Sequence, residues 1–180
     1  SPGTVTLVRR HNERIYDFDS DVGWMNATNL RGFAQVDDYD ERRRIIRQAR
    51  HRGSIPGDVR AALTAAVAAG ALNLMHGAVE SFAGNPALTL NLCDKQTIAA
   101  DLVILGTGYA QSRPGGNLVT DAIATYGLPL AGCGYPIVST TLEWAPGLYV
   151  SGPLAELEIG PASRNIIGAR MAGQRLMSAL

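Results

Sequence analysis

The spacing of apolar residues changes along the chain, and each change predicts an element. Residues 4–9, TVTLVR, are β-branched and apolar between Pro2-Gly3 and Arg9-Arg10, which predicts a short buried strand. Residues 11–37 have no clean period and predict an irregular region with one short helix near 24–31. In residues 38–52, DDYDERRRIIRQARH, acids lead and arginines follow, the charge order a helix dipole favours. RGSIPGD breaks that helix. Residues 58–69 predict a second one, capped around Asp58 and stopped at Gly70. The period then becomes two. Residues 71–76, 78–82, 87–93 and 97–99 predict short strands in an antiparallel meander, turning at Gly84-Asn85-Pro86 and Asp94-Lys95.

DLVILGTGY, residues 101–109, carries a continuous apolar run, the mark of a strand buried on both faces. A short helix over 117–126 ends at Gly127. Residues 128–147 are rich in Pro and Gly, with a possible strand at 136–140. GLYVSG, 147–152, predicts a second buried strand, 153–160 a loop, and 161–179 the last helix, with Pro161 at its first position. Gly168 and Gly173 inside that helix each cost about 1 kcal/mol relative to alanine. They point to close packing against a strand or cofactor, or to ordinary small-residue helix packing.

Composition narrows the possibilities. The chain has 180 residues, 46% hydrophobic and 18% charged, enough apolar material for a core in an ordinary domain or parts of two. The formal charge is zero, which argues against a generic nucleic-acid or membrane-surface binder. No apolar run is long enough to span a bilayer, and the start lacks a signal-peptide pattern. Cys93 and Cys133 belong to no CxxC pair and are expected as buried or half-buried free thiols, and with three scattered histidines no metal site is expected. A cytoplasmic location follows. Among basic residues only Lys95 is lysine; the rest are Arg, concentrated between Arg9 and Arg60.

Three places could carry chemistry. A buried strand ending in Gly106-Thr107-Gly108 lets a flat or phosphorylated ligand approach the main chain, although such turns are common in α/β proteins. GLYVSG and the helix from Pro161 would set free N–H groups and a positive dipole end beside a ligand, or simply pack. Arg9 and Arg10 at a strand end could pair with a ribose 2′-phosphate or be solvated. No GxGxxG, P-loop, nucleophile elbow or HExxH occurs.

The order of these segments resembles the C-terminal half of flavoproteins with two dinucleotide-binding domains, which use FAD and NAD(P)H. In that family a strand ending in ATGY closes an inserted NAD(P)-binding domain and returns the chain to the FAD domain. Here the match is GTGY, Gly106 to Tyr109. A late strand ending in glycine then feeds a final helix directed at the flavin, here GLYVSG and the helix from Pro161. Residues 152–176 look most like the lysine/ornithine N-hydroxylase-like monooxygenase branch. Pro153, where disulfide reductases carry Asp, and the missing CxxC argue against that other branch.

The resemblance implies an α/β chain: a partial FAD/NAD(P)-binding Rossmann-like fold with a small antiparallel meander, truncated at its N-terminus. Residues 1–108 would be the end of the inserted NAD(P) domain and 109–180 the end of the FAD domain. Gly106, Thr107, Gly108 and Tyr109 would lie near FAD. Gly152, Pro153 and the helix start at Gly160, Pro161 and Ala162 would face its isoalloxazine ring and ribityl chain. Arg9 and Arg10 would favour NADPH over NADH. No acid or base residue is assigned, because the flavin carries the hard chemistry.

The leading expectation is a fragment of an FAD- and NADPH-dependent monooxygenase-like oxidoreductase acting on a small nucleophilic substrate. Alone it would be inactive, needing the missing N-terminal half or a complementary subunit. The alternatives are a flavoprotein reductase that passes electrons to a protein partner, and a non-catalytic α/β binding module.

Overall fold

A computed structural model describes residues 5–84, 88–108 and 112–179. In chain order the elements are β1 (Val5–Arg9), β2 (Arg14–Ile15), α1 (Ala27–Ala34), α2 (Tyr39–Ala49), β3 (Ser54–Ile55), α3 (Gly57–Ala68), β4 (Leu72–His76), β5 (Val79–Ala83), β6 (Leu88–Leu92) and β7 (Thr97–Ala100). They continue with α4 (Gly116–Tyr126), β8 (Glu143–Ala145), β9 (Leu148–Tyr149), α5 (Glu156–Ile159) and α6 (Ile166–Met177). The chain divides into two compact units. Residues 5–17 and 53–108 make the first; residues 18–52 and 112–179 make the second. Residues 18–52 thus pack with the later part of the chain.

In the first unit β1 lies parallel to β4, in register from Val5 opposite Leu72 to Arg9 opposite His76. Parallel neighbours need a crossover, and α3 supplies its helix. That helix starts at Gly57 after Pro56; Asp58, expected near the cap, sits in the first turn, where an acid suits the dipole. Gly70 adopts a left-handed φ of 65° and turns the chain into β4. β2 and β3 form a short parallel pair. The meander holds only β5, β6 and β7. β4 pairs with β1 instead, because period two shows that a segment is a strand and not which partner it takes. Leu92 anchors the meander at 1% exposure, with Gly77 against its side chain. The turn at Asp94-Lys95 is present, with Lys95 left-handed and the Asp94 carboxylate accepting from Gln96 N–H; Asn85 and Pro86 lie outside the described residues.

The second unit has two adjoining cores. One gathers Leu142, Trp144, Ala155, Ile159 and Ala172. The other gathers Phe33, Ile46, Ala131, Tyr135 and Leu157, with Trp24 edge-on to Phe33 at 5.9 Å. α2 forms as expected: the Asp38 side chain accepts from the N–H groups of Asp40 and Glu41, satisfying donors the first turn leaves open. α4 ends on left-handed Gly127.

Several expectations need correction. β1 is not a buried strand: Val5 is 57% and Leu7 39% exposed. Residues 102–108 form neither strand nor helix, and Leu102, Ile104 and Leu105 are 75–85% exposed. The apolar run reports a need for burial that nothing in the described residues meets. At 136–140 there is one isolated bridge, Leu130 with Pro136, and no strand. GLYVSG is not a buried strand; Leu148–Tyr149 is the short second arm of the β8–β9 hairpin. The loop 153–160 carries a 3-10 turn, Gly152–Ala155, and α5. Cys93 is exposed rather than buried, and Cys133 is half-buried.

Candidate functional site

In the first unit, Gly106 and Gly108 lie on the exposed run, with nothing within 4 Å of where a Cβ would project. Gly108 has a φ of 70°, a conformation that favours glycine. Thr107 is exposed beside them. Tyr109 lies outside the described residues. Arg9 ends β1 and its guanidinium is held by the Glu13 carboxylate, with Arg60 3.7 Å from the same carboxylate. The hydrogen bond from Arg9 keeps the Glu13 carboxyl below its usual range. Arg10 is exposed.

In the second unit, Gly152, Pro153, Gly160, Pro161 and Ala162 come together around α5. Gly152 (φ 59°) and Pro153 are half-buried. Gly160, with φ 89° and ψ −165°, occupies a region nearly reserved for glycine and ends α5. It packs under α1: an added Cβ would lie 3.4 Å from Leu30 and 3.6 Å from Phe33. Pro161 and Ala162 are buried. The last helix does not begin at Pro161. A 3-10 turn spans Pro161–Arg164, and α6 starts at Ile166 behind Asn165, whose side chain accepts from Gly168 N–H. The packing expectation holds at Gly168, where a Cβ would stand 2.0 Å from the Ala162 carbonyl oxygen, and not at Gly173, which faces open space.

A feature that the sequence reading did not single out dominates this unit. Glu156 is 1% exposed and pairs with both Arg43 and Arg164, the latter at 2.9 Å. Glu158 pairs with Arg42 at 2.8 Å and Arg175 at 2.7 Å. Arg42 also donates to the carbonyls of Val36 and Leu157. Arg43 stacks over Tyr135 at 4.2 Å, and the Tyr135 hydroxyl accepts from Arg164 at 3.0 Å. Two adjacent arginines of α2 thus clamp two acids of α5. The signal was available: ELEI sets two carboxylates two residues apart in an otherwise apolar stretch, opposite ERRRII. Such buried pairs fix register more surely than they add net stability.

Between α1 and α6 lies an open groove of about 430 Å³, lined by Met25, Asn26, Ala27, Leu30, Met171 and Gln174 among others. Among the described residues no cluster of acids, His and Cys could hold a metal, and no helix is long and apolar enough to cross a membrane.

These residues fit an isoalloxazine or ribityl contact unevenly. Gly106–Gly108 and Gly152–Pro153 offer glycine backbone without full cover. Gly160, Pro161 and Ala162 are covered by their own unit, and the first turn of α6 is occupied by Asn165 and the Ala162 carbonyl.

No protein-family model matches the chain, and no curated protein matches it by sequence. Among solved structures it is similar to an ornithine N-hydroxylase of Kutzneria sp. 744, described with reduced FAD, NADP+ and L-ornithine, at a TM-score of 0.71 and 14% identity. The match covers 98% of this chain and 47% of that one, so the chain spans about half the length of its neighbour. The fold is therefore α/β and corresponds to part of a Rossmann-type FAD/NADP-binding architecture.

Proposed function

We propose that these 180 residues are the C-terminal part of an FAD- and NADPH-dependent oxidoreductase, monooxygenase-like, that acts on a small nucleophilic substrate. One observation carries the reading. Leu102, Ile104 and Leu105 form an apolar, exposed run that leads directly into Gly106-Thr107-Gly108. Three large side chains 75–85% exposed within four residues are costly in water, at about 25 cal/mol per Å² of apolar surface. A continuous apolar run of this kind suits a strand covered on both faces. The chain's missing sheet partner in this reading is an FAD-binding segment outside these residues, on the same polypeptide or on a complementary subunit. The likeness to part of an FAD- and NADP+-bound N-hydroxylase structure supports the same reading.

In this reading residues 5–17 and 53–108 belong to the NADPH-binding side and residues 112–179 to the FAD-binding side. Arg10, exposed at the end of β1, is the residue free to meet a 2′-phosphate, while Arg9 is held by Glu13. Gly106 and Gly108, and separately Gly152, supply Cβ-free backbone for FAD. Bound FAD supplies electron transfer from NADPH and the reaction with oxygen. The protein's part is to bind and orient it.

Oxygen uptake driven by NADPH tests the proposal, using the product of the whole reading frame that contains these residues. Substrate-stimulated uptake supports a monooxygenase. NADPH oxidation that needs an electron-accepting protein and consumes no oxygen would replace it with the reductase reading.

A further inference from the structure

The groove between α1 and α6 is lined by none of the residues proposed to meet FAD or NADPH. Its volume of about 430 Å³ falls within the roughly 300–1,000 Å³ of small-ligand sites. The half-buried side chains of Met25, Leu30 and Met171, with Ala34, make it largely apolar. A second hollow of about 510 Å³ adjoins it, sharing Asn26, Ala27 and Arg31 and adding Thr28. The groove thus has an apolar end and a polar end, and Arg31 lines both.

Charge decides what fits the polar end. Arg31 is the one charged side chain on the two linings, and neither carries Asp or Glu. Among the described residues its guanidinium has no hydrogen-bond or ion-pair partner. The first turn of α1 holds no acid either, so nothing there offsets the positive end of the helix dipole. Asn26 caps the helix through its side-chain oxygen, which accepts from Thr28 N–H at 2.8 Å. Its amide N–H groups remain as donors beside Arg31. A carboxylate answers a guanidinium and amide donors together, and one guanidinium balances one negative charge. The apolar end favours hydrocarbon.

We propose that this groove binds a small amphipathic carboxylate, one molecule to a chain. The carboxylate sits on Arg31 and Asn26, and the aliphatic tail lies along Leu30, Ala34 and Met171. α1 has eight residues and is about 12 Å long, room for a tail of several methylenes. The site stands independently of the flavoprotein reading, since every residue in it belongs to the second unit and its test needs no flavin.

The test is calorimetric titration of the 180-residue chain with octanoate, acetate and octylamine, at constant ionic strength and below micelle formation. One-to-one binding of octanoate with a submillimolar Kd is expected. Acetate, which lacks the tail, should bind at least tenfold more weakly, and octylamine, which carries the opposite charge, should not bind. Arg31→Gln should weaken octanoate about tenfold. Ala34→Phe, which fills the apolar end, should abolish binding. Both positions are exposed, so thermal unfolding should find each variant as stable as the parent. Octylamine that binds as tightly as octanoate, octanoate that does not saturate, or variants that bind it like the parent would overturn the site. So would self-association that Ala34→Phe abolishes and octanoate leaves unchanged, which would give the groove to a second copy of the chain.

Discussion

Replacing Gly168 with alanine should destabilise the second unit, and the same change at Gly173 should not. Both glycines lie in α6, where alanine is intrinsically favoured by about 1 kcal/mol. At Gly173 the added methyl enters open space, so Gly173→Ala should stabilise by up to about 1 kcal/mol. At Gly168 the methyl would stand 2.0 Å from the Ala162 carbonyl oxygen, 2.6 Å from its carbonyl carbon and 2.6 Å from the Ser163 Cα. These are backbone atoms of a buried 3-10 turn, so no side chain can swing aside. Overpacking of this kind costs about 1–3 kcal/mol, and the closeness argues for the upper end. After the helix-propensity gain, the net loss should be about 1–2 kcal/mol. The two variants should then differ by about 2–3 kcal/mol, or roughly 4–12 °C in Tm for a chain of this size. Thermal unfolding followed by circular dichroism, repeated in urea, measures it. Equal stability of the two variants would refute the packing of α6 onto that turn.

Glu156→Gln should cost about 3–5 kcal/mol, because it leaves Arg43 buried without its counter-charge, and urea unfolding would show it as a shifted midpoint. Glu13 gives the first unit a pH dependence. Its folded pKa lies below the unfolded value, so its contribution is present above about pH 4.5 and is lost as pH falls through the depressed value. The Glu13→Gln chain should lack that acid-side loss, which acid titration of unfolding midpoints would reveal. Ile104→Asp should leave the stability of the 180-residue chain nearly unchanged, since Ile104 is 85% exposed. In the product of the whole reading frame the same change should cut FAD retention sharply. Equal retention would mean that the apolar run is not covered by an FAD-binding segment.

Much of the fold could be read from local signals. Asp38 ahead of ERRRII gave α2, and the period-two segments gave β4 to β7 within a residue or two. What failed were statements about partners. LVIL reads as a buried strand because its composition demands burial, but periodicity cannot say whether the covering strands lie in the same stretch of chain. β4 alternates like the meander strands and yet pairs with β1, a contact set by the α3 crossover. α2 is strongly polar in sequence, yet Arg42 and Arg43 turn inward onto Glu158 and Glu156, more than a hundred residues later in the chain. Long-range ion pairs leave no period. The glycine-rich segments were legible as glycine-rich. Whether each was open, as at Gly106, or covered by its own unit, as at Gly160, depended on packing that only the structure reveals.

The central claim is that this chain works as part of a flavin enzyme. It is tested most directly by the absorption spectrum of the purified product of the whole reading frame. The account predicts a yellow protein with FAD bound one to one and bleached by NADPH without oxygen. A colourless product that takes up no FAD, or bound flavin that NADPH leaves oxidised, would contradict it.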